Sequence, residues 1–415
     1  MLLIGDIHIN TRYQDKILTE LRGIFSTYPE EKTIIFFGDY VYHFAYDRNA
    51  LLELYKLFLD LFEQGKNVYV LAGNHDRLGS SFVFEEAQKA FEIIQNAEFR
   101  MQNLEGGKIK FVTKPVVETI EGEEIVLLPF FLPDGNIMNA YTPKNERLKA
   151  ISDFSTLLEK ANHKHEQFSG YINKYLSEQI DRNPNLTIFH HYYINGTAFP
   201  GQKSKFSYKD IALNESFLNI PNTKLISGHL HQPFTHNNYL CLGSVWSTSP
   251  LETNQNKYVF QYTPANKKVI AIPLMINPQI TIRSKETLNE TDLLTELQAI
   301  NEMNKSYFSS PARNITFKED LKPNLTNISL TLKVEQIDYD TMDTLIDPEL
   351  RKSCKDIRLK KDIENVDNLL KTFKVSSDDL NGFADRKNIL QLYMQKKFGN
   401  EYTKYEKVLK ELKLL

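Results

Sequence analysis

Two cysteines are all that the 415 residues contain. Cys241 and Cys354 stand far apart and without metal-type spacing, which excludes a disulfide-built scaffold and suits a reducing compartment. A surplus of charge is missing too: the formal net charge is -3, so the chain has no general attraction for nucleic acid. Any contact with DNA must come from local Lys/Arg patches. No stretch of about 18 apolar residues appears, so neither a transmembrane span nor a membrane partner is expected. No charged segment leads into an apolar one at the start, and the first candidate functional residue is already Asp6. The expectation is a cytoplasmic protein without a removable leader. A fixed-period repeat and a low-complexity tract are likewise missing. What is present, 41% hydrophobic and 25% charged residues, is a globular composition with length for one large domain and one or two smaller ones.

The stretch that organises the rest is Gly73-Asn74-His75-Asp76, which follows the apolar run Val68-Tyr69-Val70-Leu71-Ala72. The run reads as a buried strand and the glycine as a tight turn at its carboxyl end, where an α/β sheet presents its chemistry. Asn is a weak metal ligand, His ligates or shuttles a proton, and Asp can orient the His. Alone, such a tetrapeptide is also an ordinary turn. The chain repeats the arrangement, however. An apolar strand over residues 1–4 runs into Gly5-Asp6-Ile7-His8, and another over residues 33–37 runs into Gly38-Asp39. Helical spacing over residues 14–25 and 49–64 supplies the connections between the three strands. Right-handed crossovers then place all three strand ends on one edge of the sheet, where their side chains can converge.

Two further buried runs end in histidine: Leu186-Thr187-Ile188-Phe189 before His190-His191, and Leu225-Ile226-Ser227 before Gly228-His229-Leu230-His231. Alternation along an extended segment puts Asp6 and His8 on one side, and His229 and His231 likewise. A lone buried histidine is usually structural, but His8, His75, His190, His229 and His231 all stand at strand ends. Sorted by type, Asp6, His8 and His231 surround one ion and Asn74, His190 and His229 a second, with Asp39 bridging. Mixed carboxylate, imidazole and amide ligation suits Mn²⁺, Fe²⁺ or Zn²⁺ better than Ca²⁺ or Mg²⁺. A pair of such ions can activate water and clamp a phosphate for in-line displacement. His75 and Asp76, outside both sets, are the candidate catalytic residues, with His75 the proton donor to the leaving oxygen. The chemistry is phosphoester hydrolysis.

Elsewhere the signals are weaker. Lys203, Lys205 and Lys209 lie in a basic loop that reads equally as solvated or as phosphate-contacting. Beyond Pro278 Asn, Thr, Lys and Glu dominate and no cluster points to chemistry. Boundaries near Pro278 and near residues 375–379 divide the chain into domains of residues 1–278, 279–375 and 376–415. In the last of these, Phe398, Tyr402, Tyr405, Leu409 and Leu412 step by four, three, four and three, the spacing of a coiled-coil seam. Such a helix either completes its own domain or is offered to a partner.

Asp6-x-His8, Gly38-Asp39, Gly73-Asn74-His75-Asp76, His190 and Gly228-His229-x-His231 resemble, in order, the motif set of the calcineurin-like metallophosphoesterases. The likeness covers roughly the first 250 residues. It implies an α/β fold, a two-sheet β-sandwich flanked by helices; the smaller α/β capping domain and the C-terminal helical unit after it are implied by the narrower resemblance that follows. Within that superfamily Leu242-Gly243-Ser244-Val245-Trp246-Ser247-Thr248-Ser249-Pro250-Leu251-Glu252 is similar to a segment of the SbcD-type DNA nucleases, some of them phage-encoded. That resemblance implies a Mn²⁺-dependent exo- or endonuclease acting on double-stranded DNA ends and single strands in recombination or double-strand-break repair. It also implies a homodimer within a heterotetramer with an SMC-like ATPase of the SbcC type, gripped through the C-terminal helical unit, and a host-cytoplasmic location if phage-encoded. Tyr40-Val41-Tyr42-His43 and Pro250-Leu251 depart from the nuclease pattern. A stand-alone phosphodiesterase or phosphatase, acting on a small molecule or phosphoprotein, is the alternative, and a non-catalytic scaffold subunit is the third reading.

Overall fold

The computed structural model describes residues 1–41, 47–78, 81–85, 87–93, 107–131, 157–197, 211–249, 252–276, 278–283, 288–308, 315–318, 328–334, 346–354 and 356–361. The chain divides into two compact units. The first holds Met1–Thr281, Leu288–Leu330 and Asp347–Ile357; the second holds Ile282–Thr287, Thr331–Ile346 and Arg358–Leu415. Of the second unit's described residues, 331–334 and 358–361 are extended.

The first unit begins as the apolar runs require. Strand β1 (Leu2–Ile4), helix α1 (Gln14–Thr27), strand β2 (Thr33–Phe36), helix α2 (Arg48–Glu63) and strand β3 (Asn67–Leu71) follow in succession. The three strands pair in parallel, Leu2 opposite Ile34 and Ile34 opposite Val68. Their carboxyl ends therefore share one edge. Strand β4 (Lys108–Val112) extends this sheet beyond β3, and a hairpin of β5 (Val116–Ile120) and β6 (Glu123–Leu128) crosses to a second sheet. Between β4 and β5 the chain breaks at Thr113-Lys114-Pro115, where proline cannot donate to a ladder.

Helix α3 (Leu157–Arg182) leads to the rest of the second sheet: β7 (Thr187–His190), β8 (Lys224–Ser227), β9 (Phe234–His236) and β10 (Tyr239–Cys241). Its strand order is β9-β10-β8-β7-β6-β5. Strand β11 (Lys257–Thr263) then returns to the first sheet, antiparallel to β1, and β12 (Lys268–Leu274) pairs beside it.

The two sheets face each other through one apolar layer. Leu3, Ile35, Tyr69, Leu71 and Phe260 from the first meet Ile125, Leu127, Phe189, Ile226 and Leu240 from the second. On the far face of the first sheet, Leu2, Ile34, Phe36 and Val68 pack against Ile17, Leu21, Leu54 and Phe58 of α1 and α2. On the far face of the second, Val126, Ile188 and Leu225 pack against Ile172 and Leu176 of α3. Strands covered on both sides read as continuous apolar runs, as these do. The fold is mixed α/β, two main sheets with flanking helices. Among the described residues no helix is long and apolar enough to cross a membrane.

Candidate metal centre

The loops that leave β1, β2, β3, β7 and β8 meet at one edge of the sandwich. Glycine makes the approach possible. A Cβ on Gly73 would stand 2.2 Å from the Asp39 amide and carboxylate, and one on Gly228 would stand 2.3 Å from Asp6 Oδ1. Neither site tolerates a side chain without displacing a functional group. Behind Asp6, its N–H donates to the Gly243 carbonyl at 3.1 Å, and the Val245 N–H donates to the Asp6 carbonyl at 2.9 Å. The Trp246 indole donates to the Ile7 carbonyl at 2.6 Å. Segment 242–246 thus fastens the first loop to the other elements.

Two donor groups result, Asp6 with His8 and His231, and Asp39 with His191 and His229. In each, the candidate ligand atoms lie within 4.8 Å of one another. His8 and His231 face each other through their Nε2 atoms at 3.0 Å. Asp39 links the groups: its Oδ1 lies 3.3 Å from His191 Nε2 and its Oδ2 3.7 Å from His8 Nε2. Asn74 joins the second group, with Oδ1 3.1 Å from His191 Nε2. The two Asp6 carboxylate oxygens also accept the His229 N–H at 2.9 Å. A carboxylate shared between two His-containing clusters fits a pair of divalent transition ions.

The backbone is held in unusual conformations here. His8, Asp39 and His229 have φ of 42°, 52° and 80°. Each such residue costs of order 1–3 kcal/mol, which the surrounding hydrogen bonds must hold in place, and such residues cluster at functional sites. Electrostatics follow from burial and from the crowding of charge. Burial raises the Asp39 pKa, but His191 and then His8 outweigh it and hold the carboxyl well below the usual range. Burial lowers the His191 pKa, and Asp39 overcomes that to raise it to about 9. Burial pushes His8 down to about 3 and His229 well below the ordinary value. Asp6 rises to about 7, chiefly by burial.

His190 does not join the second group. It ends β7 opposite Leu128 and Ser227, on the face that carries Ile188 toward α3. Its ring stacks on Tyr239 with centroids 5.9 Å apart, and neither ring nitrogen has a hydrogen-bond partner among the described residues. Burial and then the neighbouring His191 lower its pKa to about 3. His191 has the parity of Phe189, points between the sheets, and bonds through Nδ1 to the Phe37 carbonyl at 2.6 Å. His191 replaces His190 as the candidate ligand. Because Leu186 to Phe189 are buried on both faces, no polar alternation in the sequence marks which parity faces the site.

Asp76 differs from its expected catalytic role as well. It is fully buried and accepts the backbone N–H groups of Gly73, Asp39 and Tyr40 at 2.7, 2.8 and 2.8 Å. It shapes two loops and has no route to substrate. Burial and then Asp39 raise its pKa to about 8, and the Gly73 and Tyr40 amides oppose the rise. His75, by contrast, is exposed. Its backbone N–H donates to Asp39 Oδ1 at 2.9 Å, and its ring centroid stands 5.2 Å from that of His8. Lys203, Lys205 and Lys209, and Phe398, Tyr402, Tyr405, Leu409 and Leu412, lie outside the described residues.

A family model described as calcineurin-like phosphoesterase matches residues 1–233. The chain belongs to this family. The calcineurin-like phosphoesterases are metal-dependent phosphoester hydrolases, and the two donor groups of this member are suited to two divalent ions. No curated protein matches this chain. Among solved structures it is similar to a dimetal phosphatase from Danio rerio, with 14% identity over 62% of this chain and 91% of that one and a TM-score of 0.31.

Proposed function

We propose that this phosphoesterase is a dinuclear DNA nuclease, loaded with Mn²⁺, that hydrolyses phosphodiester bonds at DNA ends together with an SMC-like ATPase of the SbcC type. The observation that carries the hydrolytic part is Asp39, whose two carboxylate oxygens reach one donor group each. The nuclease part rests on segment 242–252, similar in sequence to the SbcD-type segment; of its described residues, Ser244 bridges to Asp6 and Glu252 bonds His231. Intact donor sets argue against a scaffold subunit.

Asp6, His8, His231 and Asp39 would hold one ion, and Asp39, Asn74, His191 and His229 the other. When bound, two such ions lower the pKa of water and stabilise the charge that develops on a phosphoryl group. The protein's own contribution is geometric and protonic. Asp6, His8, Asp39 and His191 are buried, and backbone groups bond the side chains of Asp6, Asp39 and His191, so the centre is preorganised for a dianionic transition state. Exposed His75, at the rim of the donor groups, is placed to protonate the departing ester oxygen. Lys203, Lys205 and Lys209 are the proposed contacts to DNA phosphates, and the apolar seam from Phe398 to Leu412 is the proposed grip on the ATPase.

The full chain loaded with Mn²⁺ is to be incubated with linear duplex, closed circular and single-stranded DNA, and in parallel with mono- and bis-(p-nitrophenyl) phosphate. Degradation that starts from DNA ends and stops on chelation is the expected result. Turnover of the small esters without any cleavage of DNA would replace the nuclease with a phosphatase or small-molecule phosphodiesterase.

A further inference from the structure

Behind His231 lies a charged array whose members belong to neither donor group. Glu252 Oε1 accepts from His231 Nδ1 at 2.8 Å, and its Oε2 accepts from Lys257 Nζ at 2.7 Å. Both residues are buried, Glu252 to 7% exposure and Lys257 to 3%. Lys257 Nζ also donates to the His231 carbonyl at 2.9 Å, to Ser244 Oγ at 2.9 Å and to Gln255 Oε1 at 3.3 Å. Thr248 adds its hydroxyl to Glu252 Oε1. Lys257 is the first residue of β11, so a rigid strand of the first sheet anchors the array.

We infer that Glu252 and Lys257 are positioning residues for the first ion site: the Lys257 ammonium fixes the Glu252 carboxylate, and Glu252 holds His231 as the Nδ1–H tautomer with Nε2 presented to the metal. A carboxylate that is already committed to a buried ammonium can only accept from the ring. Its partner nitrogen must then carry the proton, which leaves the Nε2 lone pair directed at His8 and the site between them. The lysine grips the main chain of His231 as well, so backbone and ring are set by the same residue. A buried pair with this many hydrogen bonds is geometrically specific, whereas a solvated Lys–Glu pair would leave the ring free to turn. Among the described residues the Asp39–His191–His229 group has no such array; His191 donates instead to the Phe37 carbonyl. The inference rests on the dinuclear reading above and names which of the two sites depends on residues outside the family's motifs.

The test separates the two sites by titrating Co²⁺, followed by its absorption spectrum, into two backgrounds. His229→Ala leaves the first site for study, and His231→Ala leaves the second. Adding Glu252→Gln to the His229→Ala background is expected to weaken Co²⁺ binding about 10–100-fold, as removal of an outer partner of a ligating histidine does. Added to His231→Ala, it is expected to leave binding unchanged. Since Gln leaves the Lys257 charge buried alone, the pair Glu252→Gln with Lys257→Met provides a second variant in which no charge is stranded, and the same site-selective loss is expected. In the metal-free wild type, long-range ¹⁵N–¹H spectra should show His231 as the Nδ1–H tautomer, and the Glu252 variants a mixture. Equal weakening of both sites, or an unchanged first site and an unchanged tautomer, would overturn the inference. If neither background binds an ion at all, it is the dinuclear reading that fails.

Discussion

The Asp76 carboxylate sits beneath Asp39 and accepts its backbone N–H at 2.8 Å, with the amides of Tyr40 and Gly73 on either side. One buried side chain therefore sets the path of both the loop that carries the shared ligand and the loop that carries Asn74. In Asp76→Asn the new NH₂ group must face at least one of these amides. Measured above about pH 8, where the Asp76 carboxyl is ionised, the expected loss is about 1–3 kcal/mol in denaturant unfolding, from a donor left unsatisfied. A stability equal to wild type would mean that the loops keep their shape by other means.

His75→Ala should behave differently, because the ring is exposed and outside both donor groups. Metal content by mass spectrometry is expected to stay at the wild-type level while turnover falls by about 10²–10⁴. The loss should shrink on an ester with a good leaving group, which needs little protonation. Equal losses on p-nitrophenyl and nucleic-acid phosphodiesters would make His75 a positioning group.

Adjacent histidines should separate cleanly. His191→Ala is expected to lose the ion of the second group, since its Nε2 lies beside Asp39 and Asn74. His190→Phe is expected to keep both ions, and its stability should change by less than about 1.5 kcal/mol, because the ring stacks on Tyr239 and belongs to neither donor group. Metal analysis of the two variants gives the answer. Loss of an ion from His190→Phe alone would restore that residue to the ligand set.

Without metal, stability should fall as the pH rises from about 6.5 to 9. His191 is raised from 6.5 to about 9, so its pairing with Asp39 contributes fully below 6.5 and is lost as the pH passes about 9. The shift corresponds to roughly 3 kcal/mol. Asp76, raised from 3.8 to about 8, and Asp6, raised to about 7, hold protons that the unfolded chain has released, and so act in the same direction. His8 and His190, depressed to about 3, affect the slope only below 6.5. Metal affinity should rise over the same range, because the ion competes with the His191 proton. A flat melting temperature between pH 6.5 and 9 in chelator would exclude a protonated His191 against Asp39.

The short-range pattern of the chain was enough for the strand-turn frame. Asp6, His8, Asp39, Asn74, His229 and His231 follow apolar runs closed by glycine, and parallel crossovers oblige such strand ends to share an edge. The periodicities of α1 and α2 are likewise local, and they appear within two residues of their read boundaries. What the sequence could not decide was parity and depth. Leu186 to Phe189 are buried on both faces, so only the second sheet, by turning Phe189 inward, shows that His191 and not His190 reaches Asn74. Depth sorted His75 from Asp76, neighbours of equal promise on paper: three converging amides draw Asp76 inside, while His75 is left at the rim. Glu252 and Lys257 lie over 20 residues beyond His231 in the chain. They acquire a role only because β11 returns to the first sheet and buries their charges against each other, beside Nδ1 of His231.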